Sequence, residues 1–200
     1  MCPTTDNSDP HEIEARFWEF HQQNFGIALR EIRNGQKEGC WSWYFFPTPP
    51  YIVDGVERGS SMNRSMALRG DDAVHAFLTF QKDGVDLRRN YIAIATEMQT
   101  QLQRSGMTLL KLVGPLDDAK AISSFRLFEK VGAQRNDEEL YVLCGDLLEL
   151  CGQKRAYPVP TAAAPPPPAA ARKKRRMFKG LLFGFLNRKK SSKANNKSKD

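Results

Sequence analysis

The chain has 200 residues, of which 40% are hydrophobic and 10% aromatic, enough for the core of one domain. Its net charge of +7 is unevenly distributed: residues 172–200 hold 12 of the 30 basic residues and one acid, whereas residues 1–171 hold 18 bases and 22 acids. The body is therefore mildly acidic, which excludes a basic fold that tracks nucleic-acid phosphates. Attraction to polyanions is expected from the tail alone.

The four cysteines are Cys2, Cys40, Cys144 and Cys151. They form no C-x-x-C pair and have no histidine at metal-ligand spacing, so the sequence predicts no metal and no cofactor. Cys144 and Cys151 are two helical turns apart and are predicted to be small buried side chains, with a redox pair as the alternative. Residues 1–9 lack the apolar run of a secretory signal, and no stretch reaches the roughly 18 apolar residues of a membrane span. We therefore expect an intracellular protein.

The first helix has a marked start. Asp9 is predicted to cap it, with Pro10 at the first helical position and Glu12 completing a capping box. Apolar residues then recur at the 3.6-residue helical period, with a break that could fall at residues 22–26. Gly35 is expected to end this helix in the left-handed conformation.

Residues 36–63 are predicted to form a long loop, because their prolines and glycines forbid a long helix. The loop is rich in aromatic side chains: Trp41, Trp43, Tyr44, Phe45, Phe46 and Tyr51. Loops of this length in compact domains are uncommon and often functional.

The remaining apolar periodicity predicts four helices and a short turn. They are a helix near Asp71, one over about Val85–Ser105, a turn at residues 108–113, a helix capped by Asp117 and stopped by Gly132, and a last helix capped by Asn136 and ended by Gly152. The predicted class is all-α, a compact multihelical single domain at residues 11–155. A flexible N-terminus at residues 1–10 precedes it, and a Pro/Ala-rich linker at 156–171 and a disordered tail at 172–200 follow.

Two motifs in this order resemble those of domain-of-unknown-function family 1810, sometimes labelled calpastatin-like. The first is Ala28-Leu29-Arg30-Glu31-Ile32-Arg33-Asn34-Gly35 with Lys37, Cys40-Trp41-Ser42-Trp43 and Phe46-Pro47; the second is Gly114-Pro115-Leu116-Asp117-Asp118-Ala119-Lys120 with Ser123-Ser124 and Leu127-Phe128. The resemblance covers about residues 15–150. It implies a compact multihelical domain whose biochemical role is not established. The family's motif has a His where this chain has Cys40, so any activity using that His is not expected here.

The polar members of these segments predict a site for a small anionic ligand that carries an aromatic ring. Basic side chains would neutralise a phosphate, hydroxyls would donate hydrogen bonds and an indole would stack on the ring. The predicted ligand-binding residues are Lys37, Trp41, Trp43, Arg64, Lys120, Ser123 and Ser124. A nucleotide or ADP-ribose-like molecule fits them, and residues 43–47 are similar to the aromatic-Pro region of a helical family of ADP-ribose-related N-glycosidases. Asp118 is the candidate carboxylate for hydrolysis, and the site requires residues 37–47 and 117–124 to lie together.

A structural interpretation of the same residues stays open. Trp41, Trp43, Phe45 and Phe46 could anchor the long loop in the core, and Asp117 could be a helix cap. Ser123 and Ser124 could be small because two helices approach each other there. The domain would then be a non-enzymatic protein–protein interaction module.

The tail combines a basic cluster with an apolar segment. The cluster is Arg172, Lys173, Lys174, Arg175 and Arg176, and the apolar face of the segment consists of Phe178, Leu181, Leu182 and Phe185. Ten residues are too short to span a bilayer but can lie in its surface, where flanking bases attract anionic lipid. We therefore predict contact with an anionic membrane. A nuclear localisation signal and nonspecific RNA contact are the alternatives.

Overall fold

The computed structural model describes residues 9–157, so the predictions for residues 1–8 and 158–200, including those for the tail, lie outside the described residues. Residues 9–157 contain eight α-helices and two short hairpins, which confirms the all-α class. The helices are α1 (Glu19–Arg33), α2 (Ser42–Phe45), α3 (Ser61–Met66), α4 (Gly70–Thr79), α5 (Leu87–Leu102), α6 (Leu109–Val113), α7 (Asp118–Arg135) and α8 (Glu138–Leu150). A π-helical turn, Glu14–Trp18, runs directly into α1.

Helix α5 lies at the centre of the core and packs against α1, α4 and α8, while α7 packs along α8. Tyr91 on α5 is fully buried, with the ring of Phe128 from α7 4.4 Å away. Phe46, which follows α2, meets Tyr91 edge-on at 6.1 Å and Phe125 of α7 at 5.9 Å. The aromatic loop is therefore anchored between α5 and α7, which fixes its position beside the start of α7.

The start of the first helix differs from the prediction. The Asp9 carboxylate accepts hydrogen bonds from the backbone amides of Ile13 at 2.9 Å and Glu14 at 2.8 Å. The helical turns therefore begin at Ile13 and not at Pro10. Glu12 has a φ of 52°, in the left-handed region, and forms no capping box. The break predicted at residues 22–26 is wrong, because α1 is continuous there. The end of α1 before Gly35, whose φ is 83°, is confirmed.

The junction of α7 and α8 corrects two further predictions. Gly132 does not stop α7, which continues for three residues until Asn136 turns it in the left-handed conformation at φ 56°. Gly132 is instead required by packing, since a Cβ there would lie 2.6 Å from the backbone nitrogen of Tyr141 on α8. Asp137, not Asn136, caps α8 through its side chain.

Two antiparallel hairpins, β1 (Ile52–Val53) with β2 (Val56–Glu57) and β3 (Gln81–Lys82) with β4 (Val85–Asp86), were not predicted as such. Each turns on an Asp-Gly pair in which both residues have positive φ, the backbone of a type I′ turn. The strand β4 occupies the predicted first turn of α5. The Asp86 side chain caps that helix instead, accepting from the Arg89 amide at 2.8 Å.

Candidate functional site

The two motif segments meet where the aromatic loop crosses the start of α7. The backbone nitrogen of Lys37 donates to the carbonyl of Leu112 at 2.8 Å, and Lys37 Nζ lies 2.7 Å from Asp117 Oδ2. Lys120 Nζ binds the other carboxylate oxygen of Asp117. The expectation that residues 37–47 and 117–124 lie together is confirmed.

Glu31, in the last turn of α1, holds the loop in this position. Its carboxylate accepts from the amides of Glu38 at 2.8 Å and Gly39 at 2.9 Å, and from Trp41 Nε1 at 2.7 Å. Partial burial opposes ionisation of Glu31, but these hydrogen bonds outweigh it and its pKa lies below the usual value. The charged Glu31 thus binds the backbone at residues 38–39 and the Trp41 indole, which holds the Trp41 ring in its buried position.

Lys37, Asp117 and Lys120 form a largely buried cluster, which we call the lysine–aspartate cluster. Their side chains are 8%, 14% and 8% exposed, respectively. Burial opposes ionisation of Asp117, but hydrogen bonds from Lys120 and Lys37 outweigh it, so the pKa of Asp117 is lowered. Burial lowers the pKa of Lys120, although its hydrogen bond to Asp117 opposes the shift. Two cations share one carboxylate, which leaves the cluster with one net positive charge.

Lys120 also contacts Trp43. Its Nζ lies 3.2 Å from the centroid of the Trp43 ring, a cation–π contact that covers one face of the indole. The side chain of Lys120 is therefore held by a carboxylate and by an aromatic ring, which fixes its ammonium group at the wall of a cleft.

That cleft has a volume of about 620 Å³ and opens between the loop and the first two turns of α7. It is lined by Trp43, Thr48, Pro49, Pro50, Tyr51, Ile52, Asn63, Leu116, Ala119, Lys120 and Ser123. Apolar side chains dominate the rim, where Leu116 is 89% and Tyr51 60% exposed. One ammonium group in a mostly apolar cleft with nearby hydroxyls suits an anionic ligand that carries a planar ring.

The predicted ligand-binding residues divide between the cleft and its surroundings. Trp43, Lys120 and Ser123 line the cleft, and Lys37 supports it from behind through Asp117. Ser124 is fully buried in the core. Trp41 is also buried, with 2% exposed, as the structural interpretation predicted for it.

Arg64 and Asp118 lie outside the cleft. Arg64 is exposed and its Nη1 donates to the carbonyl of Gly59, while its neighbour Asn63 lines the cleft. Asp118 accepts from the amide of Ala119 at 2.6 Å, within its own helix. Asp117 occupies the position before α7 but its side chain caps no amide there, so the helix-cap prediction is wrong. Asp117 is the carboxylate that sequence reasoning missed.

Comparison with known proteins places the fold in a family. A family model described as "Protein of unknown function (DUF1810)" matches residues 10–143. The chain belongs to this family. The crystal structure of the conserved hypothetical protein Rv1873 from Mycobacterium tuberculosis is similar with a TM-score of 0.56 and 21% identity, over 70% of this chain and 87% of that one. No curated protein matches the chain.

Neither the family nor the similar structure assigns a chemistry to the cleft. Within residues 9–157, no group of three or more His, Cys, Asp or Glu side chains is arranged to hold a metal ion. In the same part of the chain, every helix is too short or too polar to cross a membrane.

Proposed function

We propose that the cleft binds a small anionic ligand with a planar ring, of the nucleotide or ADP-ribose class. The observation that carries this proposal is the excess positive charge of the lysine–aspartate cluster at the cleft wall. Lys37 also lies near the charged Glu31, whereas Lys120 shares Asp117 with Lys37, so its largely buried ammonium group is only partly neutralised, which is unfavourable. A ligand phosphate or carboxylate beside Lys120 would complete that neutralisation through a charge-assisted hydrogen bond.

We expect the ring of the ligand to pack against the rim of the cleft rather than to stack on an indole, as the sequence suggested. Lys120 already covers one face of Trp43, so that face is closed to stacking. The exposed rim offers Tyr51, Pro50 and Leu116 instead, on the same cleft. The cleft volume lies within the range of roughly 300–1,000 Å³ typical of small-molecule sites.

Calorimetric titration with ADP-ribose, AMP and adenosine tests this proposal. We expect the two phosphate compounds to bind and adenosine to bind far more weakly. Lys120→Met should weaken binding about ten- to hundredfold, the loss of one charged hydrogen bond. The control is Lys82→Met, since Lys82 Nζ lies 4.7 Å over the ring of Trp18, a second and more exposed lysine–tryptophan pair whose residues do not line the cleft. Equal effects of both variants, or equal binding of adenosine, would contradict the proposal.

The exposed apolar rim favours a second function, a non-enzymatic protein–protein interaction module. Tyr51, Ile52, Val56 and Leu116 expose half or more of their surface. Exposed apolar patches of this kind are typical of protein interfaces. In that case Leu116→Ser would abolish partner binding and Lys120→Met would leave it unchanged, whereas ligand binding is expected to depend on Lys120.

We further propose that the tail contacts an anionic membrane surface. Support comes from its sequence, in which bases at 172–176 and 188–190 flank apolar residues at 178, 181, 182 and 185. Each base near an anionic leaflet contributes about 1 kcal/mol, screened by salt. We expect the full chain to sediment with phosphatidylserine vesicles and a chain lacking residues 172–190 to stay in solution. Equal sedimentation of both would refute this role.

A further inference from the structure

The amine of Lys120 is placed in an environment that favours nucleophilic chemistry. It lines the cleft, is almost buried, and is hydrogen-bonded to a carboxylate that a second lysine also contacts. Lys37, the other amine of the cluster, also donates to the carbonyl of Gly39 at 2.5 Å and is not part of the lining. Lys120 is therefore the amine that a molecule in the cleft would meet.

Nucleophilic attack requires the neutral form of the amine. Burial lowers the pKa of Lys120; the hydrogen bond and the charge of Asp117 oppose this shift, the positive charge of Lys37 adds to it, and the net direction is downward. Desolvation and a neighbouring cation are the two means by which proteins activate a lysine towards carbonyl compounds. Asp117, directly bonded to Lys120, can accept the proton that the ammonium group must lose.

We propose that Lys120 forms an imine with an aldehyde or ketone that also carries a phosphate or carboxylate group. Asp117 removes a proton from the ammonium group, and the freed lone pair attacks the carbonyl carbon. A proton then passes from the attacking nitrogen to the carbonyl oxygen, which gives a neutral carbinolamine. Loss of the hydroxyl as water, protonated by Asp117, leaves a protonated C=N bond. One carbonyl compound and one ammonium group thus become one iminium ion and one water.

This inference rests on the proposed function and names a reaction for the same site. The reducing ribose of an ADP-ribose-like ligand has an open-chain aldehyde, which belongs to the proposed substrate class. The anionic group would bring the carbonyl into the cleft, and holding it next to Nζ would accelerate condensation.

Reductive trapping in the full-length protein tests the inference. Pyridoxal 5′-phosphate, an aromatic aldehyde with a phosphate, is added below stoichiometry, reduced with borohydride, and its adducts are mapped by peptide mass spectrometry. We expect Lys120 to be labelled at least about ten times faster than Lys130, an exposed lysine on the same helix, because a bound carbonyl is held beside the amine. Labelling of Lys120 no faster than that of Lys130 would overturn the inference.

A second pair of measurements separates this inference from the proposed function. Pyridoxine 5′-phosphate, which lacks the aldehyde, should bind in calorimetry and suppress the Lys120 adduct. Lys120→Arg keeps the positive charge, so it should retain binding of pyridoxine 5′-phosphate and lose the adduct in the cleft. Binding to the wild type without a Lys120 adduct would refute the imine and leave the ligand site standing. The absence of both binding and adduct would refute the two together.

Discussion

Replacing Asp117 by Asn should destabilise the fold far more than the same change at Asp118, one residue later. Asp117 lies 2.7 Å from Lys37 Nζ and also binds Lys120, whereas Asp118 contacts only an amide of its own helix among the described hydrogen bonds. Asn has nearly the shape of Asp but no charge. Asp117→Asn therefore leaves two largely buried ammonium groups with no anion between them.

The size of the effect follows from burial. Removing one partner of a buried ion pair costs about 3–5 kcal/mol. Because the side chains of the lysine–aspartate cluster are still 8–14% exposed, we expect a cost at the lower end of this range, about 3 kcal/mol. For a domain of this size, that corresponds to a fall of about 6–12 °C in Tm. Asp118→Asn should stay within about 0.5 kcal/mol of the wild type, as other surface substitutions do.

Urea denaturation followed by circular dichroism at pH 7 measures both variants. Adding Lys37→Met to Asp117→Asn should recover part of the loss, since one unpaired cation is then removed. Because the pKa of Asp117 is lowered by folding, its stabilising contribution is present at neutral pH and is lost as the pH falls below about 4. Equal free energies of unfolding for Asp117→Asn and Asp118→Asn would refute the role assigned to the cluster.

Three further predictions concern the scaffold. Gly132→Ala should destabilise the domain by about 1–3 kcal/mol in the same urea assay, because its Cβ would meet the backbone of α8, whereas Gly26→Ala on α1, with open space around it, should be neutral or stabilising by up to about 1 kcal/mol. Burial lowers the pKa of His21 to about 4, so the protein should lose about 3 kcal/mol of stability as the pH falls from 6.5 to 4, a loss that His21→Gln should not show. Burial raises the pKa of Cys144 to about 12, so in native thiol mapping exposed Cys40 should be alkylated long before Cys144; equal rates would contradict the buried position.

Apolar periodicity was sufficient to predict the class and the five longest helices, because α1, α4 and α7 each bury one stripe against α5 or α8, which also pack against each other. It failed at boundaries set by partners distant in sequence. Gly132 has the sequence context of a helix end, but its lack of a side chain instead allows α7 to pack closely against α8 at Tyr141. The hairpins carried a local signal that periodicity ignores, the Asp-Gly pairs at residues 54–55 and 83–84.

The sequence predicted which two segments form the candidate site but not which of their side chains make its contacts. The motifs correctly indicated that Lys37 and Lys120 approach each other. The choice between Asp117 and Asp118 depends mainly on where α7 begins and which side chain then faces the loop, which the motifs do not specify. The i, i+3 spacing of Asp117 and Lys120 was the one available signal for that pair. Arg64, predicted to bind the ligand, lies outside the cleft, and its neighbour Asn63 on the short helix α3 is the residue that lines it.

Ligand binding at the cleft is tested most directly by the indole N–H resonances of the three tryptophans during a titration with ADP-ribose. Trp43 lines the cleft, whereas the Trp18 indole donates to the carbonyl of Lys82 and the Trp41 indole to Glu31. We predict a saturable shift of the Trp43 resonance, a smaller one for Trp41 and none for Trp18. A Trp43 resonance that stays in place at millimolar ligand, or a Trp18 shift of equal size, would contradict the proposed site.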